Sequence, residues 1–467
     1  MASATRTVEE VLREGGFTAF HRRIVAITGF AWTFVAFEII IISLVLPVIG
    51  AEFGIFDLVT FTAKDPVQYG AIAAATLIGS FIGSLLLGRI ADVRGRRTVF
   101  LLSILWYSAF TAATALSWNT ASVFGFRLLA GLGLGGMLVV DPALLSEFLP
   151  PQSRGRFMVL LDFFWPVGFL LAIGFWWLFI VNGVTVAGVD PWRVLFVAAA
   201  FPAFIAAIAR ITIPESPFYY ARQGRLAESA SVLTRLTGKP VDPASLTREE
   251  TVPSASVRAL FRGSLRRRSG VTISTWIALN FSYYGLFLWL PTILPRFGVA
   301  ELAQPSYVGL FLVASALAQF PGYLTSMYLV DRWGRKRTLA LFLVLGGVSG
   351  LVFATASTFA VVLASLVFVS FFNLGAWGAV YPYTSELFPT QYRATGFGMA
   401  EGVGKVTAIL GPVIFGALLA WVTPRVRVPE VGPAGIALPL TLIAIVMAVG
   451  GVLLAALGPE TKGQAFT

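Results

Sequence analysis

Five ionisable side chains stand inside long apolar stretches of this chain: Glu38, Arg127, Asp162, Glu401 and Lys405. Each costs several kcal/mol, about 2.5–3.5 at the centre of a bilayer-crossing helix, unless it faces a cavity or a partner. Groups kept against such a cost are candidates for moving protons or holding charged ligands. Glu38 is the leading proton-binding candidate, because burial favours a neutral carboxyl and a nearby cation an ionised one, so changing access loads and releases a proton. Its alternative roles are direct substrate binding and a permanent pair with Arg127. Lys405 in a low dielectric attracts a carboxylate strongly. Glu401, one helical turn earlier in the favourable Glu-to-Lys order, competes for it. The single His, His21, lies outside these stretches and there is no Cys, which excludes thiolate metal sites, a Cys nucleophile, haem attachment and His metal clusters.

The elements that hold these residues are membrane helices. The chain has 467 residues, 57% apolar or aromatic and 12% charged, with mean hydropathy +0.82. A soluble domain carries about 25% charge. With ~20 residues per crossing, the apolar runs read as twelve spans: 24–49, 69–88, 98–117, 121–143, 157–181 and 192–213, then 271–295, 305–329, 338–357, 359–383, 395–421 and 434–457. The expected architecture is all-α, a 24–213 bundle and a 271–457 bundle of six helices each. A 1–23 segment precedes them, a polar 214–270 loop joins them and a 458–467 tail follows. Glu38, Glu401 and Lys405 fall near mid-membrane on this reading. Lys64, Arg193, Arg296, Arg425 and Arg427 lie on one side, and Arg127 and Lys405 in spans; the rest of the 34 basic residues face the other side. The positive-inside rule then makes both termini and the 214–270 loop cytoplasmic. The net charge of +11 accordingly reports topology rather than nucleic-acid binding.

An internal repeat sharpens this organisation. Asp92-Val93-Arg94-Gly95-Arg96-Arg97 recurs as Asp331-Arg332-Trp333-Gly334-Arg335-Lys336. Ser146-Glu147 with Pro150, Gln152 and Arg154 recurs as Ser385-Glu386 with Pro389, Gln391 and Arg393, at the same displacement of 239 positions. A constant offset indicates duplication of a six-helix unit. Two parallel six-helix repeats place a transport site at their interface.

Those motifs resemble the major facilitator superfamily over essentially the whole chain. Gly88-Arg89-Ile90-Ala91-Asp92 with Gly95-Arg96-Arg97 is similar to its loop signature, and Pro214-Glu215-Ser216-Pro217 and Pro459-Glu460-Thr461-Lys462-Gly463 resemble tags of its sugar-porter branch. Phe37-Glu38 with Leu44-Val45-Leu46-Pro47, and Phe281-Ser282-Tyr283-Tyr284-Gly285-Leu286 with Trp289, look like the organic-ion and synaptic-vesicle-related transporters. The run from Arg127 to Gly133 resembles the family's helix-four motif, which implies that Arg127 lies on the same outer side as Glu38 and switches with it. The glycines there, through Gly135 and Gly136, read as close helix packing. In the organic-ion group the position of Lys405 holds a basic residue in anion carriers, so the resemblance implies an anionic substrate. It also implies a cytoplasmic latch for the outward-facing state, formed by Asp92, Arg96, Glu147, Arg154, Asp331, Arg335, Glu386 and Arg393 and broken on rocking inward. Asp162, about five residues into its expected span, is assigned to that gate.

Phe34, Tyr283, Tyr284 and Trp377 are the aromatics expected to contact substrate, with Asn280, Gln319 and Asn373 orienting its polar groups beside Glu401 and Lys405. The expected function is proton-coupled symport of a small organic anion by alternating access. The alternatives are a sugar or polyol carrier and a non-transporting receptor with the same fold. The protein is expected to be a monomer in the cell membrane, not an enzyme, with no cofactor beyond the coupling proton.

Overall fold

The computed structural model describes residues 6–248, 256–422 and 434–462; Arg425, Arg427 and Gly463 of the sequence reading lie outside them. The helices are α1 (Val8–Gly15), α2 (Ala19–Glu52), α3 (Pro66–Arg94), α4 (Arg96–Thr114), α5 (Thr120–Phe148), α6 (Pro151–Asp162), α7 (Trp165–Trp176) and α8 (Pro191–Ile211). They continue as α9 (Pro217–Arg222), α10 (Leu226–Thr237), α11 (Leu265–Phe287), α12 (Leu290–Ile293), α13 (Pro305–Arg332), α14 (Arg335–Thr355), α15 (Phe359–Leu387), α16 (Thr390–Val422) and α17 (Ala434–Leu457). Among the described residues nine helical spans are long and apolar enough to cross a bilayer, with Pro151–Val181 (α6 and α7) counted as one, or ten when the bent α11–α12 pair also counts as one. The shorter α4 and α8 complete twelve spans in two sets of six. One face of the molecule carries both described ends, at Arg6 beside Ser245 and Glu460 beside Arg335, here the termini face; the opposite, far face carries a short β-hairpin, Phe56–Asp57 against Thr62–Ala63.

Two spans are broken, where the sequence pattern predicts continuous helices. A proline ring collides with the carbonyl four residues earlier and supplies no N–H. Pro166 lies four residues after Asp162, where α6 stops, and Pro291 four residues after Phe287, where α11 stops. The second break bends its span by 51°. The polar segments are also more ordered than a linker. Thr7 caps α1 through a reciprocal bond with Glu10, and the Thr18 hydroxyl donates to the Leu236 carbonyl at the end of α10 (2.8 Å).

Close approach in the first bundle depends on glycine. A methyl group on Gly79, Gly83, Gly131 or Gly135 would collide with the backbone carbonyls of Leu128, Leu132, Thr76 and Ser80 respectively, so α3 and α5 touch main chain to main chain. This is the packing that small residues permit between membrane helices.

One device on the termini face is built twice. Gly95 (φ 94°) and Gly334 (φ 104°) turn the chain sharply into α4 and α14, whose first N–H groups lack helical partners. The Glu215 carboxylate accepts from the N–H groups of Arg96 (3.1 Å) and Arg97 (3.0 Å). Glu460 accepts from those of Arg335 (2.9 Å) and Lys336 (3.4 Å), and from Thr461 and Lys462.

Partial burial is the largest influence on the Glu460 carboxyl and pushes its pKa up, but the four backbone donors together hold it below its ordinary value of 4.5. A depressed carboxyl stabilises the fold above its unfolded pKa, and that contribution is lost as pH falls through the lower folded value. Glu460→Gln is therefore expected to lower the melting temperature of detergent-solubilised protein at pH 7, with the gap to wild type closing below pH 4.5. A gap that persists unchanged at low pH would assign the loss to packing instead.

Candidate functional site

Glu38 and Arg127 meet in the interior of the first bundle, both essentially without solvent exposure (1% and 0%). Arg127 Nη1 donates to Glu38 Oε1 (2.6 Å) and Nη2 to the Glu38 carbonyl (2.8 Å). Arg127 Nε donates to Thr76 Oγ1 (3.2 Å), and the Thr111 hydroxyl donates to Glu38 Oε1 (2.5 Å). The Phe196 ring lies 5.4 Å from the guanidinium carbon. The pair is thus held by α2, α3, α4, α5 and α8 together. It does not line the central cavity, whose wall includes Leu77 and Ser80, within about one turn after Thr76 along α3.

That cavity, about 1250 Å³, lies between the two bundles and reaches the termini face, where Arg154, Arg156, Asp331, Arg332, Arg335 and Glu386 line its mouth. Deeper, its wall holds Asp162, Asn280, Tyr283, Tyr284, Trp377, Glu401 and Lys405, together with Trp32, Trp165, Tyr323 and Tyr381. Lys405 Nζ lies 3.1 Å from Glu401 Oε1, with side chains 16% and 32% exposed. The lysine is therefore paired, yet both members still face open space.

Several placements differ from the sequence reading. Phe34 is buried against Phe30 and Phe37 rather than in the cavity wall. Gln319 and Asn373 are fully buried and outside that wall. Each lies one helical turn from a lining residue, Tyr323 and Trp377, and Asn373, although next to the lining Leu374, faces Ser282 and Met447 inside the second bundle. Asn373 donates instead to the Ser282 hydroxyl (2.9 Å), and both amide atoms of Gln319 lack a partner. Asp162 is deeper than a gate position, because α6 begins at Pro151, six residues earlier than expected, which puts it roughly 17 Å along the helix at 1.5 Å per residue. Asp141, fully buried on α5, is an intramembrane carboxylate the sequence reading passed over, although it lies near the end of the expected 121–143 span, beside Pro142. Trp165 and Tyr323 were also missed, and only the break at Pro166 marks the first of them.

The expected latch forms within each half. Arg96 pairs with Glu147 (3.0 Å) and Asp92 (3.9 Å), and Arg335 with Glu386 (3.0 Å) and Asp331 (3.5 Å). Arg154 and Arg393 join neither cluster. These pairs are intact while the cavity is open at the termini face, so opening that face does not require breaking them. Each links residues of one bundle only.

The far face is where the halves close on each other. Tyr69 shares a hydrogen bond with Thr292 (2.7 Å) and lies tilted against Trp289, centroids 5.0 Å apart; within the second half Trp289 Nε1 donates to the Pro412 carbonyl (3.0 Å) and its ring stacks on Phe415, also at 5.0 Å. Gly70 packs on the Pro412 carbonyl and Gly416 on that of Pro66. Closer to the cavity, Trp165 Nε1 donates to the Tyr283 hydroxyl (2.5 Å). The result is a duplicated helical bundle with a water-reachable, aromatic-walled cavity at the repeat interface, closed at one end and open at the other.

A sequence profile for sugar (and other) transporters matches residues 24–467. The chain belongs to that family. It is a multi-pass membrane transporter of the major facilitator fold, not an enzyme. It is 33% identical over 449 residues to the niacin transporter of Acinetobacter baylyi, covering 95% of both chains, and 32% identical over 399 residues to a putative niacin/nicotinamide transporter of Bacillus subtilis, covering 85% and 89%. The synaptic vesicle 2-related protein of Xenopus laevis is 27% identical over 434 residues, 89% of this chain and 76% of the relative. In fold it resembles the xylose transporter of E. coli in a partially occluded inward-open conformation, with TM-score 0.71 at 17% identity over 96% and 100% of the two chains.

Two consequences are measurable. Removing one member of a fully buried ion pair costs about 3–5 kcal/mol because the other charge is stranded, so Arg127→Ala should lower the melting temperature sharply, and adding Glu38→Gln should recover part of the loss. No recovery would show that Arg127 acts through packing alone. Gly70→Trp leaves no room for α3 against α16, so it should hold the far face open and close the termini face. In this cysteine-free chain, a single Cys placed at Ser385 on the cavity mouth should then react several-fold more slowly with a maleimide than in the unmodified background.

Proposed function

We propose that this transporter is a proton-coupled symporter of a small aromatic anion, with nicotinate the first candidate, and that it works by alternating access. The observation that carries the reading is the Glu401–Lys405 pair, which faces an aromatic-walled cavity between the bundles. A substrate carboxylate exchanges for Glu401 at Lys405, so the lysine charge is compensated before, during and after binding. Trp377, Tyr283 and Tyr284 supply flat surfaces for a ring. The relatives described as niacin transporters support this substrate class.

The coupling ion is the proton, and Glu38 is its carrier. Protonation of Glu38 removes the charge that holds Arg127 Nη1, which frees α2 to shift against α5. The moving units are the 24–213 and 271–457 bundles. Both termini are cytoplasmic in the cell membrane, by the excess of Lys and Arg on their face, and the protein acts as a monomer without an organic cofactor. A sugar or polyol substrate is the second reading, favoured by the fold it shares with a xylose transporter. It needs amides in the cavity, and of Asn280, Gln319 and Asn373 only Asn280 lines it.

The test is uptake by proteoliposomes under an imposed pH gradient. Nicotinate should accumulate with an acidic outside, and Lys405→Ala should cut uptake at least about tenfold, the scale of one charge-assisted contact. Glu38→Gln should abolish accumulation while leaving exchange. Accumulation that ignores the gradient would end the coupling claim, and uptake indifferent to Lys405→Ala would end the anion claim.

A further inference from the structure

Asp162 has no part in either pair, yet it occupies the deep wall of the same cavity. It ends α6 where Pro166 interrupts the span, and among the described residues its carboxyl group makes no hydrogen bond and no ion pair. Tyr381 lies within electrostatic range of both Asp162 and Glu401, and Tyr323 within range of Asp162. One turn past Asp162, Trp165 donates to Tyr283 across the bundle interface. One turn before Tyr283, Asn280 packs directly on Gly404, the neighbour of Lys405. An unpaired carboxyl group on the first bundle and a lysine on the second thus flank a single aromatic band.

We infer that Asp162 is the subsite for a ring nitrogen, and that the transported class is small heteroaromatic acids carrying a carboxylate and a basic nitrogen on one flat ring. This rests on the aromatic-anion reading of the cavity and narrows it. An anion without such a nitrogen meets a carboxyl group that it cannot satisfy and, when that group is ionised, a like charge. A pyridine-type nitrogen resolves this by sharing one proton with Asp162: the protonated carboxyl donates to the nitrogen, or the ring N–H donates to the carboxylate. Hydrogen bonds to a charged group are among the stronger ones. A site built to hydrogen-bond its ligand discriminates sharply against analogues that lack the matching group. A ligand held at Lys405 and at Asp162 also joins the two bundles, which a ligand held at one end cannot do.

The experiment measures binding of radiolabelled nicotinate to the full-length protein in proteoliposomes, with unlabelled nicotinate, benzoate and nicotinamide as competitors. In wild type, benzoate should compete at least about tenfold more weakly than nicotinate. Asp162→Ala should weaken nicotinate by about tenfold or more and leave benzoate unchanged or improved, so that the preference collapses. Asp162→Asn, whose amide donates to a ring nitrogen, should restore part of it and serves also if the alanine variant does not fold. Equal competition by benzoate and nicotinate in wild type would overturn the inference. So would an Asp162→Ala variant that loses both ligands equally or neither. Nicotinate binding that needs Lys405 but ignores Asp162 would overturn this inference alone, whereas no Lys405-dependent binding of either acid would overturn the proposed function beneath it.

Discussion

A guanidinium buried in a membrane bundle has to be met on every side, and much of the first half of this protein is arranged to meet Arg127. One Glu38 oxygen, the Glu38 carbonyl, Thr76 and the Phe196 ring each take a share. Those partners come from α2, α3 and α8, which can reach α5 only at short separations. The glycines of α3 and α5 provide the α3 contact by allowing one main chain to rest on the other. The glycine run, read from the sequence as close helix packing, is in this sense the condition for a charge pair.

The two halves share a scaffold but not a chemistry. Both use a glycine turn, a glutamate seated on a helix N-terminus and an arginine–glutamate pair on the termini face. Their intramembrane charges differ. The first half seals Glu38 and Arg127 away from the cavity, while the second leaves Glu401 and Lys405 facing it. Duplication accounts for the resemblance of the halves. The charges have separate fates, one pair sealed inside its bundle and the other open to the cavity.

Much of this was legible in the sequence. Apolar runs located all twelve spans, because hydrocarbon tolerates few alternatives to a helix, and the constant offset between Asp92 and Asp331 revealed the duplication. Glu38, Arg127, Glu401 and Lys405 stood out because a charge in an apolar run has few innocent explanations. What stayed hidden depends on helix phase and length. Phe34 lies only two residues from the cavity-lining Trp32, on another side of the same helix. Gln319 and Asn373 share a helix with lining residues but are buried on other sides of it. Asp162 looked shallow because the polar turns of α6 before it read as loop, and the breaks before Pro166 and Pro291 were masked by continuous hydrophobicity.

The glutamate clasps on the termini face have a kinetic meaning. Glu215 fastens only the first half and Glu460 only the second, and the connector helix α10 is tied to the beginning of the chain through Thr18. A swing of one bundle against the other therefore tears none of these contacts, and each half travels with its own fittings. The contacts that join the bundles lie instead at the aromatic seam of the far face, where Tyr69 meets Trp289 and Thr292, and at Trp165 with Tyr283. A change of facing has to open contacts on the side opposite the mouth, and those at Tyr69, Trp289 and Thr292 are made by side chains outside the cavity wall.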